Sequence, residues 1–485
     1  MTPAAAGIDY SLLVGILIYL AVLLAIGAAA ARRMRGLDDF VLGGRRIGPL
    51  AAAISERASG ESAWFLLGLP GAAYAAGFAE FWSVIGIAFG IFCSWTFLAL
   101  PLRRQTERYG ALTIPDYFAA RFADGGRALR VVSMVIILFF YTLYLAAQFV
   151  GGGKLLGAAF GLADLWGILV TAAVVMIYTL LGGFLAVVWT DVVQGIMMAF
   201  VALVLPIIAI VKLGGPGELV ARLQDAGGGF SLAMDAGQTG RAFVFGVMLG
   251  GLSWGLGYLG QPHLLTRYMA IERPRDIRRG TLIAMIWVLI AYWGAAMIGI
   301  VGAGWFEQSL ADQEQVMPLL ARALLPGWIA GLVLAGAIAA MMSTADSQLI
   351  VVTSAVVEDL YVKLMGARRD QAALVRISRV VTIAVSAVAL GLAFQNTDLI
   401  FNLVSYAWSG LGASFGPPLL LSLRWKRTTF PGALAGMLTG AVSNVVWRNV
   451  GALDDLLDHK LATFLLALLA TWAVSLATGR PARDN

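Results

Sequence analysis

Thirteen apolar stretches fix what this chain can become. They run near 10–31, 47–69, 78–102, 131–150, 165–181, 187–211, 242–265, 281–303, 327–352, 377–394, 399–421, 430–447 and 461–477. About 20 apolar residues let a helix span the hydrocarbon core, where only helices and closed barrels satisfy their own backbone. The spacing predicts an all-α integral membrane protein of about 13 transmembrane helices with little room for a soluble domain. Composition agrees, at 60% hydrophobic, 13% charged and mean hydropathy +0.84. The first stretch lacks a basic leader and exceeds a signal-peptide core, so it reads as a retained helix.

The net charge of +6 does not mark a nucleic-acid binder, because the basic residues follow the membrane. With the N-terminus outside, 26 of the 34 Lys and Arg fall in inner segments, among them Arg32, Arg33, Arg35, Arg103, Arg130, Arg267, Arg279, Lys363, Arg368, Arg369, Arg427, Arg480 and Arg483. This positive-inside pattern predicts a multi-pass protein of the cell (inner) membrane with a cytoplasmic C-terminus. Cys93 is the only cysteine, so no intrachain disulfide forms, and two histidines argue against a Cys/His metal site. Phosphate loops, nucleophile elbows and paired catalytic carboxylates are not found, and an enzyme is not expected.

Three apolar stretches carry chemistry. In the ninth, Ala340, Ser343, Thr344 and Ser347 recur at helical spacing on one face, with Asp346 beside them. Converging oxygens of this kind suit a small hard cation, although Ser and Thr also bond back to their own helix. An intramembrane carboxylate such as Asp346 marks an ion or solute path. The second stretch is interrupted by Ser55-Glu56-Arg57-Ala58-Ser59-Gly60-Glu61-Ser62, where unwound backbone would border a cavity and Arg57 would pair with Glu56 or Glu61. In the seventh, glycines and Pro262 break the helix, and Trp254, Tyr258, Gln261 and Pro262 share a helical face. His263 reads as a helix-end residue near the inner interface. Asp191 is either a helix N-cap or a second cation ligand. Tyr406 to Ala413 in the eleventh stretch let a helix bend as a gate or pack closely, and 214–241 reads as a mobile outer loop.

The two interrupted stretches lie five apart and cross in opposite senses, which predicts inverted five-helix repeats with a site at the midplane. The expected organisation is an N-terminal helix and inner loop over 1–46, a first repeat over 47–213 and an outer loop over 214–240. A second repeat follows over 241–424, then two helices and a short tail over 425–485.

Several motifs resemble the sodium/solute symporter family, most closely its sodium/proline symporters. They are Ser62-Ala63-Trp64, Leu67-Gly68-Leu69-Pro70-Gly71-Ala72, Leu112-Thr113-Ile114-Pro115-Asp116-Tyr117-Phe118, Trp189-Thr190-Asp191, 254–263, Met342-Ser343-Thr344 and Glu358-Asp359-Leu360-Tyr361. The resemblance spans nearly the whole chain. It implies a LeuT-type fold, alternating access and symport of Na+ with a small solute. By analogy the cation takes carbonyls of Ala58, Glu61 and Ala340 and hydroxyls of Ser343 and Thr344. The matching solute positions are Ser62, Trp64, Tyr144, Trp254, Tyr258 and Pro262, with Gln261 added by its helical face. Asp191 matches a carboxylate implicated in ion handling, so Asp191, Asp346 and Ser347 form a second candidate ion site.

One departure stands out. Where the proline symporters look like Ser-Asp-Met-Ser, this chain has Ser59-Gly60-Glu61-Ser62, with Arg57 added two residues before. Arg57 as a built-in cation, or Glu61 as an H+ carrier, are the alternatives this opens. A compact aromatic pocket favours proline over pantothenate, another amino acid or a carboxylate. No organic cofactor, nucleic acid or obligate protein partner is implied beyond the lipid bilayer. A proton-coupled or uncoupled carrier is the nearest rival. A membrane sensor module is disfavoured because the sequence stops soon after its last apolar stretch.

Overall fold

The computed structural model describes residues 9–31, 42–122, 126–181, 184–225, 233–366, 371–395, 398–454 and 456–479. The basic residues Arg32, Arg33, Arg35, Arg368, Arg369, Arg480 and Arg483 lie outside them. Among the described residues the chain is helical, with one isolated backbone bridge from Ile47 to Ile271.

Thirteen helices correspond to the thirteen apolar stretches. They are α1 (Tyr10–Ala31), α2 (Pro49–Ala63, Trp64–Gly68 and Leu69–Ala76), α3 (Phe81–Cys93, Ser94–Ala99 and Leu100–Arg108), α4 (Gly126–Phe160) and α5 (Asp164–Leu181). Next come α6 (Phe184–Leu213), α7 (Ala242–Met248, Leu249–Leu252, Ser253–Leu259 and Pro262–Ala270), α8 (Ile277–Trp305) and α9 (Gly327–Ser354, extended by Ala355–Leu364). The last are α10 (Gln371–Gln395), α11 (Ile400–Arg424), α12 (Phe430–Asn449) and α13 (His459–Thr478). Nine helical stretches among the described residues are long and apolar enough to cross a membrane. One of these, Pro49–Arg108, turns back at Gly77, whose φ of 64° suits glycine. Two shorter apolar helices and α11 complete the thirteen. Exposed apolar side chains such as Phe89, Ile177, Phe200 and Val388 form the lipid-facing belt.

At the centre stands α9, buried at every residue from Ala339 to Ser354 and packed against α1, α2, α4 and α6. Apart from the polar run 343–348, its residues before Thr353 are apolar or small on every side, as suits a buried helix. The break in α2 falls at Ser62, with φ 55° and ψ −174°, a conformation that costs a non-glycine residue about 1–3 kcal/mol. α7 breaks at Gly260-Gln261 and restarts at Pro262, which needs no amide partner in a first turn. Glycine lets α7 close on its neighbours: a Cβ on Gly257 would meet the Trp408 ring at 1.8 Å.

Four expectations change. Ser253–Leu259 winds as a 3₁₀ helix, so Trp254 and Tyr258, four apart, do not stack on one face as α-helical spacing assumes. α11 runs unbroken through Tyr406–Ala413, and its Gly410 and Gly412 admit Phe140 and Gly257. Close packing, not a bend, explains those small residues. The 214–241 segment holds a helix, Pro216–Asp225, while 226–232 lie outside the described residues. Asp191 sits two turns into α6, too deep to cap it.

Candidate cation and solute site

The break in α2 frees backbone groups that its neighbours then take up. Ser62 N–H donates to Thr344 Oγ1 at 2.9 Å, and Ala63 N–H donates to Gln148 Oε1 at 2.8 Å. In return Ser343 Oγ donates to the Ala58 carbonyl at 2.9 Å and Thr344 Oγ1 to the Ser59 carbonyl at 3.0 Å. Ser343 also lies 3.1 Å from the Ala340 carbonyl. Four of the five expected cation ligands, Ala58, Ala340, Ser343 and Thr344, therefore meet in one fully buried cluster. Glu61 is different. Its carbonyl, the expected ligand, accepts from the Trp64 amide, while its side chain turns toward α8, accepting from Tyr292 and from Arg57 at 3.4 Å.

That charged run is a paired network. Arg57 donates through two nitrogens to Glu56, which also accepts from Trp95 Nε1 at 3.0 Å and Tyr268 at 3.2 Å. The guanidinium lies over the Tyr258 ring at 5.2 Å. Two carboxylates share one guanidinium here, so the cluster carries an excess negative charge when all three groups are ionised.

The expected solute residues gather beside the break. Trp64 packs on Trp254 at 4.9 Å between ring centroids, with Tyr292 at 6.0 Å and Phe401 at 6.2 Å. Its indole N–H is buried without a hydrogen-bond acceptor, as is Gln261 Oε1 without a donor. Gln261 Nε2 donates to the Trp408 carbonyl at 2.9 Å, and Tyr258 meets the Trp408 ring at 4.6 Å. Tyr144 faces Trp408 at 6.3 Å, and Pro262 is buried at the restart of α7. Two unspent polar atoms, one donor and one acceptor, amid aromatic faces suit a small polar solute with an apolar body.

The second candidate ion site is partly assembled. Asp191 Oδ2 accepts from Ser55 at 2.6 Å, Ser59 at 2.8 Å and Arg267 at 3.2 Å, and Ser347 meets Ser59 at 2.8 Å. Arg267 also donates to Ser347 and to the His263 carbonyl, so a guanidinium stands among these oxygens. Asp346 turns elsewhere, accepting from Thr179 of α5. His263 is not at an interface: it is fully buried, with Nδ1 at 2.8 Å from Tyr141 and Nε2 at 3.1 Å from the Ser59 carbonyl.

Both ends of the site are covered. On one side Glu314 accepts from Lys154 at 2.6 Å and from the amides of Ile400 and Phe401, both at 2.9 Å. On the other, Arg267 ties α2, α6, α7 and α9 together. Tyr292, Phe401 and Glu314 were not singled out from the sequence. Each sits in a stretch where an aromatic or polar residue is ordinary, and only the packing brings it to the site.

A family model described as the sodium:solute symporter family matches residues 40–440. The chain belongs to that family. Its members are transporters, not enzymes. The high-affinity proline transporter PutP of Bacillus subtilis (strain 168) is 40% identical over 466 residues, covering 95% of this chain and 97% of its own. The sodium/proline symporter of Escherichia coli (strain K12) is 39% identical over 452 residues, covering 92% and 89%. Among solved structures, the substrate-bound outward-open state of a Na+-coupled sialic acid symporter superposes with TM-score 0.81 at 19% identity, covering 98% of this chain and 99% of that one. The fold is thus the LeuT type with inverted five-helix repeats, as expected for this family of membrane proteins.

Proposed function

We propose that this family member is a secondary transporter coupling sodium entry to uptake of a small solute, L-proline being favoured. Proline transport by relatives 35–40% identical over most of the chain supports the substrate. The observation that carries the mechanism is the meeting of Ser343 and Thr344 with the Ala58 and Ser59 carbonyls at the break. Sodium would take the Ala58 and Ala340 carbonyls and the Ser343 and Thr344 hydroxyl oxygens as ligands, in place of the hydrogen bonds those hydroxyls now donate and with their protons retained, and so would pin the break at Ser62. The same break carries Ser62 and Trp64, so a bound cation presets the solute pocket, and the solute in turn favours the cation. Membrane potential adds about 2.3 kcal/mol per charge per 100 mV to the drive. Alternating access follows when one cover, at Glu314 or at Arg267, opens while the other holds.

The repeats are assigned to 47–213 and 241–424. The N-terminus lies outside and the C-terminus in the cytoplasm, a reading supported by the basic residues gathered at the ends where α3, α7 and α11 finish. The Glu56, Arg57 and Glu61 network favours a second reading, in which Glu61 carries a proton along with the solute.

Uptake of radiolabelled proline into proteoliposomes tests this. Sodium on the outside, against potassium at fixed pH, is expected to drive accumulation, and Ser343→Ala to weaken it. Equal uptake in potassium overturns sodium coupling. Accumulation driven by a pH gradient alone supports the Glu61 reading in its place.

A further inference from the structure

The packing leaves a crevice that none of the candidate cation or solute residues lines. It lies between α1, α4, α5 and α9, encloses about 280 Å³, and is lined by residues such as Leu13, Leu17, Leu156, Val174 and Met341. No charged side chain lines it, and Thr171 supplies its only hydroxyl. Apolar cavities of about 150 Å³ stay dry and accept benzene-sized ligands, so this one rejects water and has room for more. Its mouth is continuous with the lipid-facing surface: Leu17 and Val170 both line it, yet are 52% and 46% exposed. It starts near the ends of the bundle where α1 and α5 begin, at Leu13 and Leu162, and ends at Met341-Met342 of α9. Those two residues lie between Ala340 and Ser343, on the turn that bears the cation ligands.

We propose that this crevice is a binding site for one acyl chain of a bilayer phospholipid, drawn from the leaflet on the side where α1 begins. Continuity with the lipid surface names the source, and the uncharged lining matches a hydrocarbon chain. A protein segment is a poor occupant because its backbone amides and carbonyls would find no partners inside. The chain lies against the back of the α9 turn, and α1, which falls outside the two repeats, forms one wall. The site is separate from the sodium and proline reading and stands or falls without it.

The test uses the full chain in nanodiscs containing phosphatidylethanolamine with a photoactivatable group in its acyl chain. Labelled peptides are mapped by mass spectrometry. Labelling of 13–20 and 170–175 is expected to exceed that of the lipid-facing Val388 surface of α10 severalfold. Val174→Trp, which fills the crevice, is expected to lower that labelling severalfold, whereas Val388→Trp leaves it unchanged. Leu17→Trp at the mouth gives the same readout if Val174→Trp does not fold. Labelling no higher than at α10, labelling that survives the filling variant, or photo-crosslinks joining two copies through α1 and α5 each overturn the proposal.

Discussion

The amide of Ser62 and the hydroxyl of Thr344, 2.9 Å apart, join the break of α2 to the middle of α9. The same hydroxyl donates onward to the Ser59 carbonyl, so one threonine receives and gives across the break. In the proposed reading, holding a cation and a solute together depends on this hinge keeping its open-backbone form.

Thr344→Ala leaves the Ser62 amide and the Ser59 carbonyl without this partner, a loss of about 1–3 kcal/mol for buried groups. Since 1.4 kcal/mol is tenfold in an equilibrium constant, the sodium concentration for half-maximal proline uptake is expected to rise about tenfold or more. Thr344→Ser keeps the hydroxyl and is expected near the wild-type value. Uptake measured against sodium concentration distinguishes the two.

Arg57→Met strands Glu56 and Glu61 in a fully buried pocket. Breaking a buried pair by removing one partner costs about 3–5 kcal/mol. Thermal unfolding in detergent is expected to show a large loss for Arg57→Met and a smaller one for Glu61→Gln, because Glu61 holds Arg57 at the longer distance of 3.4 Å. Equal losses for both would contradict the pairing order.

Arg267 reaches Ser55, Ser59, Ser347 and Asp191 with a planar fork, which a lysine cannot imitate. Arg267→Lys is expected to cut the maximal rate of uptake about tenfold through two or more lost hydrogen bonds at about 0.5–1.5 kcal/mol each. Initial rates at saturating proline check this.

Asp116 lies in the first turn of the short helix Ile114–Arg121, outside the membrane spans. Burial alone would raise its carboxyl, but Lys363 at 2.7 Å, the Leu112 amide and Arg130 outweigh it and hold it below the ordinary value of 3.8. A depressed carboxyl stabilises the fold fully above its unfolded value and loses that contribution as pH falls through the folded one. The melting-temperature gap between wild type and Asp116→Asn, worth about 1–3 kcal/mol, is therefore expected to be constant down to about pH 4 and to shrink below it. A gap that widens on acidification would reverse the sign.

Much of the site was legible because its residues are costly where they stand. Ser343, Thr344 and Asp191 are polar at membrane depth, and Gly260 with Pro262 breaks a helix. The Arg57 pairing was legible from spacing, as it falls within its own helix. The direction of Asp346 was not, since Thr179 lies on another helix 167 residues away. The 3₁₀ winding of Ser253–Leu259 was hidden too, because apolar and glycine content alone does not separate tight from regular turns.

By itself the sequence determined thirteen apolar stretches fit for membrane helices, where two of them break and which hydroxyls share a helical face. Hydrophobic length and periodicity are local properties, set by the cost of bare backbone and charge in lipid. Tertiary structure alone decided which partner each polar group takes: a guanidinium beside Asp191, tyrosines from α7 and α8 beside Glu61, and a crevice behind Met341. These are contacts between distant segments, fixed by how thirteen helices of given shapes fill space together.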